Sequence, residues 1–474
     1  MFYTYEKQYI GGAWRSSSTD NTIAVYDPAT QVQIGSIASG SQADIDEAVL
    51  AARNASFSFS ETSPAERLAL LKKIGTVYEA RLADLAASMT AEMGAPAWLA
   101  EQYQAPLGLA HIQSAIEALE AYDFVKKVRE ASVVAEPIGV CALITPWNWP
   151  QHQVMSKVAP AIAAGCAVII KPSQLAPLDA CILAEIMDEA GVPAGVFNLV
   201  NGKGSVLGNA LAEHSGVDMV SFTGSQSGGV SVAQAAAPTV KRVVQEFGGK
   251  SPNIILDGAD LEAAISGGVQ TCFINSGQNC IAPSRMLVPA AHYAEAVKIA
   301  CSVAEAITVG KPADEVYMGP LANEAQYSSV QRYIQAGLDE GARLVVGGLG
   351  KCEGLEQGYF AKPTIFADVT NDMVIAQEEI FGPVLVMIPY ETVEDAIEIA
   401  NDTPFGLAGY VSGPVAQAYA VGCKIKAGNI YLNGTSMDVN VPFGGFKQSG
   451  NGREFSSWGL EEFMEIKALI SPPI

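Results

Sequence analysis

Basic residues are scarce: 28 lysines and arginines stand against 50 acidic residues, a formal charge of −22 at pH 7. Such a surface repels nucleic acid and anionic membrane, which carry the same sign. Long apolar runs are missing too. The longest, Val158 to Ile170, is broken by Pro160 and Gly165 and falls short of the about 20 residues a bilayer requires. Met1 to Trp14 has no basic stretch followed by an apolar core, so it does not read as a secretory signal, and the chain is expected to be soluble and cytoplasmic. Paired cysteines are lacking: the eight, at 141, 166, 181, 272, 280, 301, 352 and 423, are scattered and contain no Cys-x-x-Cys. That excludes a disulfide scaffold, and the four histidines show no ligand spacing, so no metal is expected.

What is present is a long, rather apolar globular chain. At 474 residues it exceeds what one core organises and predicts two sizeable domains with smaller elements. With 49 % hydrophobic and 16 % charged residues, part of the surface is expected to be hidden in a homo-oligomer.

Residues 1 to 40 alternate like edge strands. Helices follow: one opens at Ser41-Gln42-Ala43-Asp44, and another at the capping box Ser63-Pro64-Ala65-Glu66, with Leu71, Ile74, Tyr78 and Leu85 as its apolar stripe. From Ala131 short β-branched runs alternate with helices. Gly139 to Thr145, Cys166 to Ile170, Gly195 to Val200, Val217 to Phe222 and Arg242 to Glu246 read as buried parallel strands, which makes a doubly wound α/β sheet. A second α/β region follows Gly248, with a helix from Leu261 to Val269.

Ligands of doubly wound sheets bind beyond the carboxyl ends of the strands. There the sequence places Trp147 and Asn148, then Lys171-Pro172-Ser173-Gln174, then the glycine-rich Thr223-Gly224-Ser225-Gln226-Ser227-Gly228-Gly229, then Glu246. A glycine-rich turn opening a helix offers free N–H groups to a pyrophosphate, and Lys171 can reach a ribose hydroxyl or phosphate; together they favour a dinucleotide. Each also has an ordinary reading, as a strand-to-helix turn and a solvated lysine.

Cys280 ends the polar turn Phe273-Ile274-Asn275-Ser276-Gly277-Gln278-Asn279. A free cysteine is usually a small buried hydrophobe. As a thiolate, however, it can attack a carbonyl, with the Asn148 amide and its own N–H as oxyanion donors and Glu246 as base for a water. Phe247 beside Glu246 predicts partial burial and a raised carboxyl pKa. Glu379, in Glu378-Glu379-Ile380-Phe381-Gly382-Pro383, can accept from ribose hydroxyls while Phe381 packs near a cofactor ring.

Seven segments together, Ile144-Thr145-Pro146-Trp147-Asn148, Lys171-Pro172-Ser173, Phe222-Thr223-Gly224-Ser225, Glu246-Phe247-Gly248-Gly249-Lys250, Gly277-Gln278-Asn279-Cys280, Glu379-Ile380-Phe381-Gly382-Pro383 and Pro442-Phe443-Gly444-Gly445-Phe446-Lys447, resemble the aldehyde dehydrogenase superfamily in order and spacing over nearly the whole chain. The resemblance implies a dinucleotide-binding domain (1–116 and 138–248), an α/β catalytic domain (249–447) and a small β oligomerisation element (117–137 and 458–474) serving a homodimer or homotetramer. It implies oxidation of a small-molecule aldehyde to an acid through a thiohemiacetal and a thioester on Cys280, with Glu246 as base, Asn148 as oxyanion donor, and Lys157 and Glu454 relaying protons. Around NAD it places Thr145, Trp147, Lys171, Ser173, Gln174, Gly204, Phe222, Gly224, Ser225, Gly229, Gly248, Glu379 and Phe381. In the substrate tunnel it places Trp149, His152, Gln153, Ser156, Asn279, Ile281, Met437 and Phe443.

Two departures stand out. Gln174 occupies a position where members that strongly prefer NAD often carry Glu, so NADP is expected to be tolerated. Ser156 stands where the family often has a bulky aromatic, which predicts room for a larger, aromatic or polar-tailed aldehyde. A CoA-acylating relative commonly lacks the base, and a non-catalytic member loses thiol or base; this chain retains both.

Overall fold

The computed structural model describes residues 2–470. Two large sheets dominate it. In the first, the strands Val140–Ile144, Ala167–Lys171 and Phe197–Leu199 run outward from the middle in one direction, and Met219–Thr223 and Arg242–Glu246 in the other. All four pairings among them are parallel. The order reverses between Val140–Ile144 and Met219–Thr223, so the residues following those two strands flank the crevice where such sheets take ligands. Antiparallel strands extend both edges: Lys7–Ile10 and Ala13–Ser16 on one side, the two-residue strand Gly450–Asn451 on the other. The chain thus leaves this sheet after Glu246 and returns to it about 200 residues later, next to Glu246 itself.

The second sheet has seven strands, with Arg343–Val346 as its antiparallel edge and Asn429–Leu432 as the other. Pro252–Ile255 and Arg285–Pro289 lie at its centre and bracket the helix Leu261–Phe273, which runs on four residues beyond the expected Val269. Two three-stranded sheets complete the set among the described residues: one in the order Tyr3–Tyr5, Gln33–Ala38, Thr22–Tyr26, and an antiparallel one in the order Met464–Ile470, Ala131–Pro137, Val125–Val128.

Two expectations are corrected. Leu85 is not on the helix that the capping box opens. That helix is Pro64–Ala80, and at Arg81 the backbone leaves helical geometry (φ −107°, ψ 9°) before Leu82–Met93 begins. The apolar stripe crosses the break because both helices bury the same side against one core. The β element expected from 117 starts later, as the strands Val125–Val128 and Ala131–Pro137, because residues 117–121 are the last turn of the helix Ala105–Ala121. In the matching C-terminal segment, the helix Ser456–Glu462 precedes the strand Met464–Ile470, and residues 471–474 lie outside the described residues. No helix among the described residues is long and apolar enough to cross a membrane.

The helix Pro150–Ala164 is buried along its whole length. Proline at its first position leaves no amide to satisfy there, and Gly165 ends it in the left-handed conformation. A helix buried all round must partner its polar side chains, and it is these partnerships that shape the site.

Candidate active site

Cys280 is positioned by a strained turn. Asn275 and Ser276 both adopt left-handed backbone (φ 54° and 57°), followed by Gly277 at 71°. Non-glycine residues hold that conformation only where their surroundings over-determine it. Here the Asn275 amide donates to Asn148 O at 2.8 Å, Ser276 Oγ to Gly319 O at 2.8 Å, and Gln278 Nε2 to Asn275 O at 3.1 Å. Gly277 is required by space as well, since a Cβ there would fall 2.2 Å from Gly382 O. Asn148, from the end of the first strand of its sheet, donates through Nδ2 to Gln278 O at 3.2 Å, which spends one amide hydrogen and leaves the other.

The Cys280 thiol is pushed up to about 12, first by burial, then by the negative charges of Glu379 and Glu246; the N–H groups of Cys280 and Ile281 oppose this. The sulfur is therefore a thiol in this state. Its thiolate fraction grows tenfold for each pH unit below that value, so alkylation by iodoacetamide without cofactor should rise about tenfold per unit from about pH 7 to 9, with no plateau. A rate flat above neutrality would show that the thiol is already ionised.

Glu246 ends its strand fully buried, with neither carboxylate oxygen in a well-formed hydrogen bond. Burial holds its carboxyl well above the usual range and the charge of Glu454 adds to that, while Lys157 and Arg453 pull the other way. Lys157 is ion-paired with Glu454 in the interior. Ser156 Oγ bonds to the second Glu454 oxygen at 3.1 Å and to Gln153 O at 3.1 Å. This corrects the expectation for Ser156: its hydroxyl is buried against Glu454 and it is not among the residues that line the cavity. A tryptophan there would push Glu454 aside rather than narrow a tunnel.

A cavity of about 770 Å³ opens over Cys280. The other seven expected tunnel residues, Trp149, His152, Gln153, Asn279, Ile281, Met437 and Phe443, line it. His152 Nδ1 shares a proton with His111 Nε2 across 2.8 Å, and both rings pack on Phe455. Burial holds both imidazoles neutral, His152 down to about 3. The sequence reading missed Tyr103, Leu107, Ile274 and the stacked pair Tyr410 and Tyr431, whose ring centroids are 4.9 Å apart. Tyr410 donates to Ile281 O at 2.9 Å and so braces the residue after the cysteine. No local pattern marks these residues; the fold alone assembles them.

The expected cofactor residues fall at the switch point of the first sheet. Ser225 caps the helix Gln226–Ala236, its Oγ accepting from Gly228 N at 3.2 Å, and the remaining amides of that first turn are available to an anion. Gly224, Gly229 and Phe222 surround this turn, with Phe222 edge-on to Phe247 at 6.2 Å. Lys171 is buried at the end of its strand, donates to Pro172 O at 2.7 Å, and is pulled down to about 8 by burial. Ser173 Oγ accepts from Leu175 N at 3.2 Å, and Gln174 Oε1 from Gly204 N at 3.4 Å, so these residues form one cluster. Glu379 accepts from Gly249 N at 3.3 Å and lies over Gly248, where a Cβ would fall 1.7 Å from its carboxylate. Burial pushes Glu379 up to about 7. Trp147 meets Phe381 edge to face at 5.6 Å, and the Thr145 hydroxyl is buried without a partner. An orphaned hydroxyl, a free helix N-terminus and a glycine that leaves room for a carboxylate fit a dinucleotide laid across the strand ends.

Comparison with known proteins agrees with this geometry. The model of the aldehyde dehydrogenase family matches residues 14–469. A 3-succinoylsemialdehyde-pyridine dehydrogenase from a Pseudomonas species is 51 % identical over 469 residues, 98 % of each chain. A putative aldehyde dehydrogenase from Staphylococcus aureus is 47 % identical over 467 residues, again 98 % of each. Among solved structures, a cysteine-to-alanine mutant of aldehyde dehydrogenase C from Pseudomonas syringae with NAD+ and octanal superposes with a TM-score of 0.98 at 48 % identity, covering 99 % of this chain and 98 % of its own. The Mycobacterium tuberculosis aldehyde dehydrogenase with NAD+ does so with a TM-score of 0.97 at 39 % identity, covering 100 % and 99 %. Matched along nearly its whole length by family, relatives and structures alike, this chain belongs to the aldehyde dehydrogenase family.

Proposed function

We propose that the chain oxidises an elongated aldehyde to the carboxylic acid, with Cys280 as nucleophile, Glu246 as base and NAD as electron acceptor. The observation that carries this reading is that the Cys280 thiol lines a large cavity, with a free amide hydrogen on Asn148, itself held against Gln278 O two residues before the cysteine, and a buried Glu246 carboxyl close enough to act on the thiol. These come from three separate elements.

The Cys280 S–H gives up its proton to solvent, the sulfur adds to the aldehyde carbon, and the oxygen that becomes anionic is met by the Cys280 N–H and the Asn148 amide. When bound, the nicotinamide supplies the two-electron acceptor. Lys171, Ser173 and Gln174 would hold its adenosine ribose, Ser225 and the first turn of Gln226–Ala236 its pyrophosphate, and Glu379 its second ribose. Glu246, once it has lost its own proton, takes one from the water that releases the acid. Lys157 and Glu454 lie on the route by which that proton leaves. Because a water base is retained, hydrolysis is favoured over transfer of the acyl group to CoA.

Neutral Gln174 places no negative charge against a 2′-phosphate, so NADP is tolerated beside NAD. A panel of aliphatic, aromatic and carboxylated aldehydes with each cofactor, followed by absorbance of the reduced nicotinamide, tests activity and preference together. Gln174→Glu should lower kcat/KM for NADP about tenfold and leave NAD within about twofold. No NADP-supported rate in the wild type would contradict this assignment.

The name of the Pseudomonas relative puts a pyridine ring in its substrate, which agrees with a cavity too large for a two-carbon aldehyde. A homodimer or homotetramer is supported by the strand Met464–Ile470, an edge that exposes Ile466, Leu469 and Ile470.

A further inference from the structure

We infer that the cavity over Cys280 continues as a groove along the helix Leu261–Phe273, and that this groove takes the uncharged, hydrogen-bonding tail of an elongated aldehyde. The inference rests on the aldehyde-oxidising reading above and adds the length and chemistry of the substrate. Residues 260, 263, 264, 267, 268 and 271 all line the cavity. Their spacing is that of one helix face, so the groove follows the helix for about 16 Å at its rise of about 1.5 Å per residue. The face carries Ala263, Ala264, Gly267, Gly268 and Thr271, none large enough to fill the space.

A stripe of small residues alone would say little, but polar groups without partners stand opposite. Asn253, on the strand Pro252–Ile255, is 3 % exposed and lines the cavity, and its side-chain amide makes no hydrogen bond among the described residues. A Cβ at Gly268 would fall 2.4 Å from Asn253 Nδ2, so the glycine is what leaves room for the amide. The Tyr431 hydroxyl is likewise buried without a partner, on a residue that lines the same cavity. Buried polar groups are ordinarily paired, and a ligand carrying both donor and acceptor would pair these.

Charge narrows the choice further. Asp260 caps the helix, accepting from Ala263 N at 3.0 Å, and stands at the far end of the groove. Among the described residues no lysine or arginine lines the cavity. A tail ending in a carboxylate is therefore disfavoured, and an amide, a hydroxyl or a ring nitrogen is suited.

Gly267 provides the test, because a Cβ there meets nothing within 4 Å and any larger side chain projects into open groove. Replacing a helical glycine also favours the helix, so Gly267→Leu should fold. With propanal, kcat and KM of this variant should match the wild type. With a long aldehyde ending in a primary amide, the wild-type KM should lie at least about tenfold below that for propanal, and Gly267→Leu should remove the advantage without changing kcat. Asn253→Ala should cost the amide-ended aldehyde about tenfold in kcat/KM, and an alkyl aldehyde of equal length less than about threefold. Calorimetric binding of the unreactive amide-ended alcohol reads the groove without turnover, and Gly267→Leu should weaken it about tenfold. If that binding behaves as expected while no aldehyde is oxidised, the groove stands and the functional reading falls. If Gly267→Leu keeps the wild-type dependence on chain length, the groove is not used by substrate. A changed oligomeric state with unmoved length dependence would assign it to a second copy of the chain and overturn the proposal equally.

Discussion

Cys280→Ala should abolish acid formation, reducing turnover by about 10⁶-fold, while the dissociation constant for NAD changes by less than about threefold. The split follows from where the groups lie. The thiol stands at the cavity floor, whereas Lys171, Gln174 and Ser225 hang from strand ends of the other sheet and are held by their own hydrogen bonds, none of which involves the cysteine. Removing the sulfur takes away a half-buried, cavity-lining thiol that Glu379 and Glu246 disfavour as an anion, so the fold should not suffer. Fluorescence titration with NAD and a single-turnover assay measure the two halves. A variant that still turned over at the wild-type rate would end the nucleophile assignment, and one that lost NAD binding would mean that the turn at Asn275 to Gly277 had collapsed.

The second large effect is expected at Glu246. Glu246→Gln keeps shape and volume but cannot accept a proton, so hydrolysis of the acyl-enzyme should slow by about 10²–10⁴-fold while the first turnover survives. The signature is a burst of one reduced nicotinamide per site followed by a slow steady state. The pH dependence carries a sign. Because burial and Glu454 hold the Glu246 carboxyl well above its ordinary value, its base form appears at higher pH than that of an exposed carboxylate and grows as pH rises. Steady-state kcat of the wild type should rise with pH to a plateau reached above the ordinary carboxyl range. In Glu246→Gln that climb should disappear from the hydrolytic step. A variant with neither burst nor slow phase would place the carboxyl in the first half of the reaction instead.

Local pattern reached a good part of the fold. The strands Val140–Ile144, Ala167–Lys171, Met219–Thr223 and Arg242–Glu246 lie within about two residues of where continuous β-branched runs placed them. Buried parallel strands must be apolar on both faces, and that signal needs no knowledge of neighbours. The strand Gly450–Asn451 shows the opposite case. Two residues have no period, yet this pairing brings the chain back beside Glu246. The break at Arg81 was hidden for a related reason, since a 3.6-residue stripe reports which side is buried and not whether the backbone is continuous.

At the site, residues that follow a strand or sit in a glycine-rich turn could be singled out because their chemistry is local. Ser156 could not be placed that way. On a helix buried all round, whether a serine faces a cavity or an ion pair depends on what packs against it, and here Glu454 arrives from almost 300 residues away. His152 is similar: its role as half of a neutral histidine pair depends on His111 from another helix. By itself, then, the sequence determined the parallel sheet, the acidic surface and the chemical candidates Cys280, Glu246 and Asn148, because periodicity, charge and reactivity are properties of segments. The tertiary structure decided the upward pKa shifts of the thiol and the carboxyl, the position of Ser156 outside the cavity, and the groove beside Gly267. Burial and void space belong to no single segment; they exist only where distant segments close around the same point.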